Sequence, residues 1–147
     1  MKRWTALLVA TVFPGHDEPE IPMATPTDDT AGKQFVAPSP GKAALYVVGS
    51  RLVTIAPILV GRTNVGSLIN QTWMRVDLAP GHYDVCVVGP HNTAFRSVGL
   101  EAGSTRFIEV TITNGIPINY RLNEMSDGIG RGRPFRRLVR APARLRS

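Results

Sequence analysis

Punctuation constrains this chain more than any other feature. Between residues 41 and 124, short apolar runs are separated by turn-forming residues at intervals of roughly eight to twelve, the spacing of a β-sandwich or barrel. No helix-period segment of convincing length interrupts them. Gly 14 and Pro 12 in 147 residues make about 18 per cent, against roughly 12 per cent in average usage, which suits an all-β protein with many turns. Because 43% of residues are hydrophobic, the chain can bury a core, and wholesale disorder is excluded. The expected fold class is all-β, a small antiparallel β-sandwich of about seven to nine short strands, with a disordered N-terminal linker and a basic C-terminal tail.

Candidate strands are 43–48, 52–56, 58–62, 66–69, 73–78, 83–88, 94–100, 105–112 and 118–122. Over 73–78, Met74, Val76 and Leu78 alternate with Trp73, Arg75 and Asp77, and a period of two assigns the first set to the core. Ala79-Pro80-Gly81-His82 reads as the turn of a hairpin over 73–88. Its expected register sets Leu78 opposite Tyr83, Val76 opposite Val85 and Met74 opposite Val87. The same register places Asp77 against Asp84, a like-charge pair that Arg75 would screen. A second strand pair is expected around Leu100-Glu101-Ala102-Gly103, with Gly103 supplying a positive φ between 95–100 and 106–112. There Ile108, Val110 and Ile112 face in and Phe107 is an exposed exception. Leu78-Ala79-Pro80-Gly81 and Leu100-Glu101-Ala102-Gly103 echo one another, but one echo does not make a repeat architecture.

The net charge of +6 is unevenly spread: residues 1–40 carry −2, residues 41–124 carry +2 and residues 125–147 carry +6. The high pI therefore describes a tail, not a basic folded surface. Lys2 and Arg3 precede an apolar run from Trp4 to Phe13 that Pro14-Gly15 ends, so 1–15 reads as a signal-peptide-like segment. Residues 16–40, rich in proline and acidic residues, read as a Pro-rich flexible linker; the alternative is an arm whose last few residues pack along the domain through Phe35 and Val36. The β-sandwich domain is expected over 41–124 and an Arg-rich tail over 125–147. No apolar run approaches the length needed to cross a bilayer as a helix, which excludes a multi-pass helical membrane protein.

Four pieces in order carry a family resemblance: Gly41-Lys42-Ala43-Ala44-Leu45-Tyr46-Val47, Val60-Gly61-Arg62-Thr63-Asn64-Val65-Gly66-Ser67-Leu68, Val76-Asp77-Leu78-Ala79-Pro80-Gly81-His82-Tyr83-Asp84-Val85 and Leu100-Glu101-Ala102-Gly103-Ser104-Thr105. Together they resemble an uncharacterised β-sandwich domain of bacterial envelope lipoproteins, and they are similar to PEGA modules. The resemblance covers 41–125 and implies a small envelope domain with no catalytic residues to carry over. The sequence departs from a lipoprotein where Gly15 is followed by His16 instead of the lipid-attachment Cys.

Chemistry-bearing residues are sparse. His16, His82 and His91 stand at no metal-ligand spacing, and a mixed site from Asp77, His82 and Asp84 reads instead as solvated side chains near a turn. Cys86 alone excludes an internal disulfide and a multi-Cys zinc site. It reads as a half-buried strand residue, with an intermolecular disulfide or a nucleophile beside His91 as lesser readings. Gly61-Arg62-Thr63-Asn64-Val65-Gly66 lacks the Lys-Ser/Thr of a phosphate loop and reads as a hairpin turn in which Asn64 takes the left-handed conformation. Asn70-Gln71-Thr72 fits the N-glycosylation pattern, which matters only in a eukaryotic secretory pathway. Arg131-Gly132-Arg133-Pro134 coincides with the core of the AT-hook, an extended minor-groove ligand, without its basic flanks. Read otherwise, Pro134 starts a short amphipathic helix with Phe135, Leu138 and Val139 on one face, or the tail is solvated and disordered, or it ends in an edge strand over 135–139.

The expectation is a non-enzymatic, exported module of the periplasm or cell envelope, with a cytoplasmic protein as the alternative and with no cofactor or metal. Its partner would be an envelope protein or a cell-surface polymer. Trp73, Arg75 and Phe107, all assigned to outer faces, form the candidate interaction patch. The alternative is an anion-binding protein in which Arg131, Arg133, Arg136, Arg137, Arg140, Arg144 and Arg146 engage an acidic membrane surface or, ranked behind it, nucleic acid.

Overall fold

In the computed structural model, which describes residues 34–132 and the backbone at 137–138, strand β1 (Ala43–Gly49) is buried along its whole length. A strand that alternates sides yet buries every residue needs cover on both faces. The rest of the architecture supplies it. Chain order continues with β2 (Ala56–Val60), β3 (Thr63–Leu68), β4 (Thr72–Leu78), β5 (Gly81–Val88), β6 (Thr93–Leu100), β7 (Thr105–Ile112), β8 (Tyr120–Met125), the helix α1 (Asp127–Gly132) and the two-residue β9 (Arg137–Leu138). Sheet I has the order β8-β7-β1-β4-β9 and sheet II the order β3-β2-β5-β6. The fold is an all-β sandwich. Pairing is mostly antiparallel, but β1 lies parallel to β7 and β4 parallel to β9.

The main core fills the space between the sheets. Leu45 and Val47 of β1, Met74 and Val76 of β4, Ile108 and Val110 of β7 and Leu122 of β8 meet Ile58, Val60, Val85, Val87, Val98 and Leu100 of sheet II. The alternation assigned from the sequence is the one observed: Met74, Val76, Val85 and Val87 all point inward.

The two strand pairs expected at the echoing tetrads are absent. β4 pairs with β1, setting Leu45 opposite Val76 and Val47 opposite Met74, whereas β5 pairs with β2 and β6. β6 and β7 likewise belong to different sheets. Both tetrads are sheet-to-sheet crossings, and they flank the start of β1, where Leu78 lies opposite Ala43 and Thr105 opposite Ala44. The second crossing is tied to β1 by Gly103 N–H donating to the Lys42 carbonyl at 2.8 Å and Ala44 N–H donating to the Ser104 carbonyl at 2.9 Å. An inward set on each side of a turn is satisfied equally when two strands lie side by side and when they face each other across a core. Here the second arrangement holds, so Asp77 and Asp84 are not cross-strand partners. Arg75 binds Asp77 along the same strand, and Ser97 Oγ donates to Asp84.

Smaller departures have local causes. Residues 52–55 form no strand; Leu52 turns inward, its N–H donating to Asn70 Oδ1 at 3.2 Å. In the β2–β3 hairpin the positive φ falls on Gly61, while Asn64 lies within β3 and its Oδ1 accepts from Gly66 N–H at 2.8 Å. The sandwich domain also runs past 124, since Met125 ends β8 as a buried residue and α1 folds back onto sheet I.

Candidate functional site

The outer face of sheet I carries Ala44, Tyr46 and Val48 from β1, Trp73 from β4 and Phe107 from β7. Three aromatic rings from adjacent strands line up across it. Tyr46 stacks on Phe107 with centroids 4.9 Å apart and on Trp73 at 5.6 Å. Such pairs contribute on the order of 0.5–1.5 kcal/mol each beyond their buried area. The face assigned to Trp73, Arg75 and Phe107 is therefore the observed one, but the expected exposure is not. Trp73 and Phe107 are both 0% exposed.

Among the described residues, two segments distant in sequence contribute cover to this face. From the N-terminal side, Phe35 sets its ring 5.3 Å from Tyr46 and 5.8 Å from Phe107, so the last residues of the expected linker are docked. From the C-terminal side, α1 presents Gly130 to the Phe107 ring; it is buried, and its N–H donates to the Ser126 carbonyl at 2.8 Å.

Two arginines lock the arm. Arg75 forks onto Asp77 through Nε at 2.8 Å and Nη2 at 3.3 Å, and its Nη1 donates to the Val36 carbonyl at 2.7 Å and to Tyr46 Oη at 3.1 Å. Burial alone would lower the Arg75 pKa, but the hydrogen bond to Asp77 and the neighbouring Tyr46 outweigh it and raise the guanidinium further. Burial pushes the Tyr46 phenol up, with Arg75 opposing. Arg131 binds Asp127 at 2.9 Å, lies 5.2 Å from the Phe35 ring centroid and donates to the Phe35 carbonyl at 3.5 Å. The residue so gripped has φ 52, a left-handed conformation that costs a non-glycine residue on the order of 1–2 kcal/mol.

This corrects the tail as well. Arg131 and Gly132 are helical, and Arg131 is engaged by Asp127 and the arm, so the extended AT-hook geometry is absent there. The backbone at 137–138 pairs parallel with Thr72 and Trp73, which is the edge strand offered as an alternative and not the helix read from Pro134. Arg133, Arg136, Arg140, Arg144 and Arg146 lie outside the described residues, as do 1–33 with the signal-peptide-like segment.

The sequence reading passed over the outer face of sheet II. Register places Leu59, Cys86 and Phe95 side by side across β2, β5 and β6. Phe95 is 66% exposed and Val88, on the same face, 51%. The signal was available, because Phe95 is out of phase with Ala94, Val98 and Leu100, which turn toward the core. Cys86 is half-buried in this row, and burial, with Asp84 second, pushes its thiol pKa up and disfavours the nucleophilic thiolate.

Two open clefts meet along the side where β6 approaches β7 and β8. The larger, about 510 Å³, is lined by Arg96, Thr105, Arg106, Glu124, Ser126 and Asp127; the smaller, about 240 Å³, adds His82, Leu100 and Glu101. Arg106 is paired with Glu124 at 3.0 Å and Asp127 with Arg131. Among the described residues, no group of three His, Cys, Asp or Glu side chains is placed to hold a metal ion. Asp77 and His82 belong to different sheets. No protein-family model and no curated protein matches this chain.

Proposed function

We propose that this protein is a non-enzymatic interaction module of the bacterial cell envelope, exported and working through the open face of sheet II. The observation that carries the reading is the Leu59–Cys86–Phe95 row: sheet I covers Tyr46 and Phe107 with its own arm and helix, while sheet II leaves Phe95 and Val88 in water. A row of apolar side chains across three strands, bordered by Asp84 and Ser97, suits a protein partner better than a polymer of sugars. The basic-then-apolar start of the chain and the four envelope-like pieces of sequence support export.

The test is a photo-crosslinking residue placed at Phe95 and, as control, at the fully exposed Ile116, in the full chain expressed in a bacterial host and fractionated. A discrete envelope adduct from position 95 alone, with a shortened intact mass, is the expected result. A full-length cytosolic protein, or equal adducts from both positions, would overturn the reading.

A further inference from the structure

The arm at residues 34–36 is held as a bound peptide is held. One aromatic side chain enters a socket formed by Tyr46 and Phe107, and two successive main-chain carbonyls, those of Phe35 and Val36, accept from Arg131 and Arg75. Val36 contributes its carbonyl while its side chain remains exposed, and residues 34–36 are turn and coil, not strand. Recognition thus rests on a ring and a run of backbone, features that any copy of the segment offers. Between the arm and β1 the chain passes through Pro38, Pro40 and Gly41, the last with φ 78, so the arm joins the domain through a short irregular stretch and not through a continuous element.

We propose that the Phe35 socket is a peptide-binding site whose resident ligand is the chain's own arm, and that the same segment of a second copy is its trans ligand, giving an arm-exchanged dimer. Exchange of an identical element preserves every contact of the closed form and adds no new interface of its own, which makes it a low-cost route to association. The closed monomer competes through the high local concentration of a tethered arm, so exchange grows with protein concentration. The sheet II face plays no part in it.

Two experiments on the full chain test this. In the first, a labelled peptide of residues 31–40 is titrated into wild type and into Phe35→Ala. Saturable binding to the variant, weaker by about tenfold or more for wild type, whose socket is filled, is the expected result. A peptide carrying Phe35→Ala should lose at least as much. A folded Phe35→Ala chain that binds neither peptide, or binds both equally, overturns the proposal. The second needs no emptied socket. Sedimentation of the unmodified full chain is followed from micromolar to about millimolar concentration, the range of a tethered arm's effective concentration. The expected result is a dimer that grows with concentration and is lost in Phe35→Ala. A wild-type chain that stays monomeric throughout, or a dimer unchanged in Phe35→Ala, overturns the proposal.

Discussion

Gly130 lies against the ring of Phe107 so closely that a Cβ built on the glycine would stand 2.3 Å from the ring's Cγ. The glycine is there for clearance, since its φ lies outside the positive range. Phe107 itself is locked between the β-sheet, Tyr46 and Phe35 and cannot retreat. Gly130→Ala is therefore expected to lift α1 from sheet I and to cost about 1–3 kcal/mol, the range of overpacked cores. Gly128, in the same helix, meets nothing within 4 Å, and Gly128→Ala should be neutral or stabilising by up to about 1 kcal/mol. Urea denaturation of the two variants side by side checks the contrast. Equal midpoints would show that the helix does not rest on Phe107.

Gly103 is required for the opposite reason. A Cβ there would meet nothing within 4 Å, but the residue has φ +81 while its N–H reaches the Lys42 carbonyl. Gly103→Ala should cost about 1–2 kcal/mol through backbone strain alone. Gly103→Asn should cost less, because asparagine tolerates the left-handed region, and Gly103→Val more. Thermal unfolding that ranks the three as Asn, Ala, Val in order of increasing loss is the expected outcome.

These two glycines mark what was legible in the sequence and what was not. The positive φ at Gly103 follows from local turn chemistry and could be read from Glu101-Ala102-Gly103. The need for clearance at Gly130 could not, because Phe107 is distant in sequence and the contact exists only after α1 folds back. The same division runs through the whole fold. Periodicity gave the inward set of β4 and β5, since it depends only on alternate residues facing one way. It was silent on partners, since β1 reaches β7 by a parallel pairing across most of the domain. Trp73 and Phe107 were assigned to the right face and wrongly to solvent; Phe107 is covered by Phe35 and Gly130, which come from opposite ends of the described residues. A clue lay in Ala43-Ala44-Leu45-Tyr46-Val47-Val48, an unbroken apolar run that marks a strand covered on both sides.

Arg75 holds three groups at once through four hydrogen bonds, and its fork is what lysine lacks. Arg75→Lys keeps the charge but cannot bind Asp77 through two nitrogens while reaching the Val36 carbonyl and Tyr46 Oη. A loss of about 1–2 kcal/mol in urea denaturation is expected, in line with charge-assisted hydrogen bonds that are partly exposed. Limited proteolysis gives an independent reading, with cleavage around 34–40 faster in Arg75→Lys than in wild type and faster again in Arg75→Ala. An unchanged cleavage rate would mean that the Phe35 ring and Arg131 hold the arm without Arg75.

Two buried phenols make the sandwich sensitive to alkali. Tyr46 and Tyr120 both have pKa values raised from 10.0, in each case by burial first, and Tyr120 Oη donates to the Ile55 carbonyl at 3.0 Å. Below about pH 10 both are protonated in the folded and the unfolded chain, and their contribution to stability is fully present. As the pH rises past about 10, the unfolded chain releases these protons before the folded one does. The unfolded state then binds fewer protons, and stability falls until the folded pKa values are passed. Urea midpoints measured at pH 8 and at pH 10.5 should therefore differ in wild type and differ less in Tyr46→Phe and in Tyr120→Phe. Tyr120→Phe should also start about 1 kcal/mol lower at pH 8, because the Ile55 carbonyl loses its donor. If the alkaline decline is as steep in both phenylalanine variants as in wild type, these two phenols do not set it.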